Sequence, residues 1–247
     1  MDQKADGPIL VFLGPTLGLP QAQRILDAVY LQPVSQGDII LAAHAFRPKA
    51  MVLIDGLFED RPAVRHKEIL WALSQGIVMI GAASMGALRA AELHPFGMIG
   101  VGLIYRWYRR WPLTAEDAVA VQCGPAELGF TALTEALVDL QRSFTTLYRR
   151  GLIAKAEMDA GLTAARRLNF RDRSLRKVLA AAQWPAETSA LLRSHWIAQK
   201  TADARLALRL APTLSKYKPA GQSFMVTNTF LRDLEAGSID ISLVSKY

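Results

Sequence analysis

The stretch Ile77–Leu93, IVMIGAASMGALRAAEL, predicts a buried strand that runs through small residues into a helix. The apolar run Ile77–Ile80 forms the strand signal, and Ser84–Leu93 carries helical periodicity. Ser84 stands at the bend, where a hydroxyl would lie above a sheet and beside the free amides of a helix start. This stretch therefore predicts one unit of a parallel sheet and also a candidate functional site.

The rest of the first half alternates strand and helix signals. Short apolar runs predict buried strands over Ile9–Leu13 and Ala50–Ile54, while Ile39–Ala43 fits either a short strand or a helix. Helical spacing predicts helices over Pro20–Tyr30 and Val64–Ser74. This order predicts an α/β fold with a Rossmann-like parallel sheet core. No Gly-x-Gly-x-x-Gly motif follows the first strand, so the dinucleotide-binding fingerprint is absent.

The second half has a different character. After about Gly129, helical periodicity without β-branched runs predicts helices over Thr131–Tyr148, Ala154–Leu168, Asp172–Ala182 and Glu187–Leu210. Phe96–Pro125, rich in glycine and aromatic residues, is typical of a packed loop region. We therefore expect an α/β core domain over residues 1–128 and a helical C-terminal region over residues 129–247.

Composition narrows the class of protein. With 51% hydrophobic and 21% charged residues, the 247-residue chain is not typical of disorder. The longest apolar stretch, Ile77–Leu88, is shorter than the roughly 20 residues of a membrane span. Cys123 is the single cysteine, which excludes an internal disulfide and a cysteine-based zinc cluster. We expect a cytoplasmic protein with no membrane partner, no cofactor and no metal.

The net charge of +7 is concentrated in one segment. Residues 142–218 hold 16 Lys and Arg against 5 Asp and Glu, whereas residues 1–141 hold 11 against 14. Such a segment fits an acidic protein or peptide partner, nucleic acid, or simply the solvated faces of surface helices. Charge alone leaves these three interpretations open.

Polar residues follow each of the three predicted strands. Gly14 and Thr16 follow the first strand, Asp55 follows the second and Ser84 follows the third. Ligands of open parallel sheets bind beyond the carboxyl ends of the strands. The sequence therefore predicts that these residues converge on one edge of the sheet.

Ser84 has two interpretations. In Ala82-x-Ser84-x-Gly86 it resembles a nucleophile elbow, with the amides of Met85 and Gly86 as oxyanion donors. Serine is also a favoured N-cap that accepts a hydrogen bond from the first turn of a helix. The spacing by itself favours the N-cap.

His66 is the first candidate for a general base that accepts the Ser84 proton, with Asp55 or Glu68 orienting its ring. The alternative is an exposed residue in the first turn of a helix. Arg89 and Glu92, three residues apart, predict a surface ion pair or, alternatively, an arginine that binds a substrate carboxylate.

Several motifs together resemble one family, the TfuA-like core family, over about residues 9–125. The Ser84 segment and the His66-Lys67-Glu68 motif are the most specific of them. The motifs are Phe12–Thr16, Asp55–Phe58, His66–Leu70, Gly81–Leu93 and Phe96–Gly102.

The resemblance implies an accessory protein of peptide backbone thioamidation. Its implied partners are an ATP-dependent YcaO-type cyclodehydratase and a small ubiquitin-like sulfur-carrier protein, whose C-terminal thiocarboxylate it hydrolyses to release sulfide. The resemblance implies catalytic roles for Ser84, His66, Asp55 and Glu68. The expected substrate-binding residues are Gly14, Thr16, Lys67, Met85, Gly86, Arg89 and Glu92.

Two departures and two alternatives accompany this resemblance. Ala118 stands where an acidic residue is expected, which excludes a chemical role there, and Arg65 replaces an aromatic residue before His66. The first alternative is a non-catalytic scaffold that binds the YcaO enzyme and the precursor peptide. The weaker one is a basic nucleic-acid-binding protein.

Overall fold

The structure, a computed structural model, describes residues 7–57, 61–112, 115–217 and 223–247. The chain divides into two compact units, one of Met1–Pro112 with Asp203–Tyr247 and the other of Leu113–Ala202. The predicted division after residue 128 does not coincide with these boundaries and stays a prediction about domains. Phe58, part of one motif quoted above, lies outside the described residues.

A parallel sheet of five strands forms the centre of the first unit. The strands are β1 (Ile9–Phe12), β2 (Val29–Leu31), β3 (Ala50–Leu53), β4 (Val78–Ala82) and β5 (Ile99–Val101). They lie in the order β2-β1-β3-β4-β5, and every neighbouring pair is parallel. This confirms the predicted α/β class with a Rossmann-like core.

Helices follow the strands in the first unit and continue through the rest of the chain. The first unit contains α1 (Leu19–Gln23), α2 (Asp38–Phe46), α3 (His66–Ser74), α4 (Met85–Leu93) and α5 (Gly102–Arg110). The second contains α6 (Leu137–Arg149), α7 (Lys155–Arg167), α8 (Leu175–Ala181) and α9 (Ala186–Ser194). Then come α10 (Gln199–Leu214) and α11 (Asn228–Ala236). These helices confirm the predicted helical C-terminal region.

Strands β1, β3 and β4 are buried along their whole length, which explains why they are continuous apolar runs. A strand covered on both faces has no solvent side that would need polar residues. The core of the first unit combines alternate residues of these strands with Ala204, Ala207, Leu208 and Ala211 of α10. The sheet therefore gives its strand ends a rigid support.

Two sequence predictions about the first unit are wrong. The helix predicted over Pro20–Tyr30 ends at Gln23, and its last residues form β2, because pairing with β1 supplies backbone hydrogen bonds that a short helix lacks. The predicted loop Phe96–Pro125 contains β5 and α5. Its Gly100 is a packing position, since a Cβ there would overlap the ring of Tyr105.

The predicted helix Glu187–Leu210 is also wrong, because it is divided into α9 and α10. The amide of Ile197, between the two helices, donates to the Ser143 hydroxyl at 3.0 Å. The chain can leave the helix there because this amide has a side-chain acceptor instead of a carbonyl one turn earlier.

The C-terminal segment, residues 223–247, packs on α2 and α3, which the sequence did not predict. The indole Nε1 of Trp71 donates to the carbonyl of Val244 at 3.1 Å, and His44 Nε2 lies 2.8 Å from the carbonyl oxygen of Leu243. Phe230 and Leu234 of α11 are buried. This segment therefore completes the first unit.

Over the described ranges, none of the helices combines the length and the apolar character needed to span a bilayer.

Candidate functional site at the carboxyl edge of the sheet

The strand order places β1, β3 and β4 side by side, so their carboxyl ends lie along one edge of the sheet. The chain order reverses beside β1, which has β2 on one side and β3 on the other. Such a switch point is where open parallel sheets bind ligands. The predicted convergence of the three strand ends therefore agrees with the observed topology.

Asp55, at the end of β3, holds the loop that follows β1. Its Oδ2 accepts hydrogen bonds from the amides of Gly14 at 2.9 Å and Thr16 at 3.1 Å. Its Oδ1 accepts one from the Thr16 hydroxyl at 2.5 Å. Asp55 is 1% exposed, so these donors replace the water that a buried carboxylate has lost. The carboxylate therefore fixes the loop after β1, which borders the switch point.

The turn between β4 and α4 is strained and carries Ser84. Ala83 has φ +65°, in the left-handed region that a residue with a Cβ rarely adopts. Ser84 follows at the N-cap position with φ −120° and ψ −127°. Within the described residues, its side chain makes no capping hydrogen bond to the first turn of α4. A strained residue directly before a serine, between a strand and a helix, is more typical of a nucleophile elbow than of an ordinary cap.

Gly86 lets α4 approach the end of β3. Its amide donates to the carbonyl of Ile54 at 3.3 Å, and a Cβ at this position would overlap the backbone of Leu53. The Gly86 amide is therefore engaged, and its predicted role as an oxyanion donor is not supported. The amide of Met85 makes no hydrogen bond among the described residues, so it stays the candidate donor.

His66, at the start of α3, contacts α4 far from Ser84. Its Nε2 lies 2.8 Å from Oε2 of Glu92, and Arg89 donates to the same oxygen at 2.7 Å. Glu92 follows Ser84 by eight residues, which is about 12 Å along a helix axis. The carboxylate beside the His66 ring is thus Glu92, and neither Asp55 nor Glu68 orients it as we had expected.

Arg89 is 8% exposed while Glu92 is exposed, so their pair lies at the surface with the arginine largely buried. Its Nε also donates to the carbonyl of Val64 at 3.2 Å. Burial raises the pKa of the Glu92 carboxyl, but hydrogen bonds with His66 and Arg89 outweigh it, and the pKa falls below its ordinary value. The three side chains therefore form a charged link between α3 and α4.

Glu68 connects α3 to α2. Its Oε2 accepts from the amide of Gly37 at 2.7 Å and its Oε1 from the amide of Arg65 at 3.1 Å. The side chain has no exposed surface, and burial raises its pKa to about 8. A carboxyl placed between two helix starts has a structural role at this position.

Lys67 and Arg65, on either side of His66, face the C-terminal segment. Lys67 Nζ lies 5.7 Å from the centroid of the Phe224 ring, and Arg65 Nε lies 4.0 Å from a carboxylate oxygen of Asp233. Most of the predicted site residues thus fall into three groups. Gly14, Thr16 and Asp55 contact one another, and Ser84, Met85 and Gly86 lie along the same edge of the sheet. His66, Arg89 and Glu92 lie together beside α4. The catalytic and binding roles of all these residues stay predictions.

The basic residues of segment 142–218 do not form one open face. Arg173 is 1% exposed and donates to Asp117 and to the carbonyls of Ala165 and Leu168. Lys177 pairs with Asp172 at 2.6 Å. Part of the charge counted in the sequence is therefore internal or neutralised.

In the part of the chain that the structure describes, no group of three His, Cys, Asp or Glu side chains is arranged to hold a metal ion.

The parallel sheet and the polar residues beyond its strand ends define a doubly wound α/β protein. Residues 55–174, just under half of the chain, match the family model of the TfuA-like protein. This match supports the TfuA-like core domain that the resemblance predicted, although it begins later and extends further than residues 9–125. This family implies involvement in the YcaO-associated thioamidation system. Comparison with curated proteins gives no match.

Proposed function

We propose that this protein is an accessory protein of ribosomal-peptide backbone thioamidation, which binds a YcaO-type cyclodehydratase and releases sulfide for it. The sulfide comes from hydrolysis of the C-terminal thiocarboxylate of a small ubiquitin-like sulfur-carrier protein. The observation that carries this proposal is the strained Ser84 turn at the carboxyl edge of the sheet, next to the switch point that Asp55 holds.

The reaction replaces a carbon–sulfur bond by a carbon–oxygen bond. The Ser84 hydroxyl, or a water that it orients, attacks the carbonyl carbon, and the carbon–sulfur bond then breaks to release hydrogen sulfide anion. If serine is the nucleophile, water hydrolyses the resulting ester. The products are the carrier carboxylate, hydrogen sulfide anion and one proton, and no oxidant or reductant is consumed.

The Ser84 turn supports this chemistry through its helix start. Charge develops on the carbonyl oxygen as the tetrahedral intermediate forms, and the Met85 amide with the positive end of α4 would stabilise it. Asp55 is proposed as a positioning residue, because every described partner of its carboxylate belongs to the loop after β1. His66 is not proposed as the base for Ser84, since its ring contacts Glu92 about two helical turns away.

The test measures sulfide released from a thiocarboxylated carrier by the purified protein. Ser84→Ala should lower the rate at least about a hundredfold. Ser74→Ala is the matched control, because the hydroxyl of this serine on α3 donates to the carbonyl of Trp71 and accepts from Gln75 Nε2, and the variant should retain the wild-type rate. Equal urea midpoints for the three proteins would show that folding is intact. An unchanged rate in Ser84→Ala would contradict the proposed site.

The scaffold alternative makes a different prediction in a reconstituted reaction with the YcaO enzyme and its precursor peptide. If wild-type protein supports thioamidation from added sulfide but releases none from the carrier, the protein binds the enzyme or the peptide without hydrolytic activity. Wild-type release that depends on Ser84 would exclude that alternative.

A further inference from the structure

Helix α5 and the residue that follows it carry a basic and aromatic surface, which we call the α5 face: the exposed Arg106, Arg109, Arg110 and Trp111, with the half-buried Trp107. Ile104, Tyr105 and Tyr108 point into the core of the first unit. On the opposite side, the three arginines are exposed and Trp111 is 55% exposed. The helix is therefore amphipathic, but its outer side combines positive charge with large aromatic surface.

The positive charge of this face is not neutralised within the described residues. Arg106 Nε donates to the carbonyl of Gly102 at 3.3 Å, and Arg109 donates to the Tyr105 hydroxyl at 3.5 Å. The guanidinium of Arg110 lies 5.5 Å from the Trp111 ring centroid. None of the three arginines forms an ion pair in the described part of the chain.

Helix stability explains only part of this arrangement. Arg109 and Arg110 lie in the last turn of α5, where a positive charge gains about 0.3–1 kcal/mol from the helix dipole. That gain does not account for Arg106 in the middle of the helix or for the exposed indole of Trp111. Arginine and tryptophan are enriched where protein interfaces concentrate their binding energy. Charge complementarity then indicates an acidic protein surface as the occupant.

The α5 face lies on a helix that starts at the same edge as the Ser84 turn. α5 follows β5 directly, and β5 is the parallel neighbour of β4, which leads into Ser84. The start of α5 is held in place because the Asp203 carboxylate accepts a hydrogen bond from the Ile104 amide at 2.8 Å. Arg106 is about one helical turn below that start. A protein docked on α5 would thus lie close to the Ser84 edge.

We propose that the α5 face is the docking surface for an acidic partner protein that extends a C-terminal segment to the Ser84 turn. That this partner is the thiocarboxylated carrier rests on the proposed function, whereas the acidic character of the partner follows from the α5 face itself. This assigns docking to the arginines of the α5 face, and not to the basic segment 142–218.

The experiment measures binding of a sulfur-carrier protein in its carboxylate form, which cannot release sulfide, by calorimetry at low salt. The triple variant Arg106→Gln, Arg109→Gln and Arg110→Gln should raise Kd at least about tenfold and reduce its dependence on salt. The control removes three exposed arginines elsewhere, Arg166→Gln, Arg167→Gln and Arg176→Gln, with the same change in net charge. It should leave Kd within about twofold.

A second readout separates docking from chemistry. With thiocarboxylated carrier, the α5 variant should raise KM and retain kcat, whereas Ser84→Ala should lower kcat and retain carrier binding. If wild-type protein binds the carrier through α5 but releases no sulfide, the docking proposal stands and the proposed hydrolysis fails. If wild type does not bind, or the control variant weakens binding as strongly, the docking proposal is overturned. It is also overturned if a single-stranded oligonucleotide, and not the carrier, binds in an α5-dependent way.

Discussion

Replacing Gly86 by alanine should separate α4 from the end of β3. The added Cβ would lie well under 3.0 Å from the carbonyl oxygen of Leu53, closer than real Cβ atoms approach, and 3.2 Å from the Leu53 Cβ. The obstacle is backbone at the end of β3, a strand paired on both sides, so the helix has to move by about 1 Å or more to restore ordinary contact distances.

The expected cost combines three effects. Overpacking against a fixed backbone costs about 1–3 kcal/mol. The movement also weakens the Gly86 amide hydrogen bond to Ile54, worth about 1 kcal/mol. Alanine regains at most about 1 kcal/mol of helix propensity over glycine. We therefore expect the free energy of unfolding to fall by about 2 kcal/mol.

Urea denaturation measures this change, and the sulfide assay measures its consequence at Ser84, where a displacement of about 1 Å can reduce a rate a hundredfold. Gly18→Ala is the matched control, because its added Cβ meets nothing within 4 Å and its φ is −61°. It should change stability by no more than about 1 kcal/mol. A Gly86→Ala protein as stable as wild type would refute the close approach of α4 to β3.

Three further outcomes follow from buried polar groups. Asp55→Asn should lower the free energy of unfolding by about 2 kcal/mol, measured by urea denaturation. Its NH2 group replaces one carboxylate oxygen and cannot accept the hydrogen bonds that Gly14 and Thr16 donate there. Because the folded-state pKa of Glu68 is raised from 4.5 to about 8, its contribution to stability is full below pH 4.5 and is lost as the pH rises through 8. Urea midpoints across that range should fall for wild type and fall less for Glu68→Gln; parallel curves would disprove it. Arg173→Met should cost about 3 kcal/mol or more in a thermal or urea denaturation, since it leaves internal carbonyls without donors, and a loss below about 1 kcal/mol would contradict that role.

The fold class could be predicted because its signals are local. Buried parallel strands need continuous apolar runs, and β1, β3 and β4 have them, so the α/β class was readable from the chain. The short edge strands β2 and β5 were missed, because three residues carry little periodicity and their strand conformation depends on pairing with β1 and β4.

The sequence by itself determined which residues follow the strand ends, and therefore that Gly14, Thr16, Asp55 and Ser84 would meet at one edge of the sheet. Only the tertiary structure decided the partners of the charged side chains. It placed His66 beside Glu92 and gave Glu68 a structural role, because side-chain contacts between helices depend on how the helices pack. The positions of the buried strands are encoded in local hydrophobicity, whereas these pairings arise from distances between residues far apart in sequence.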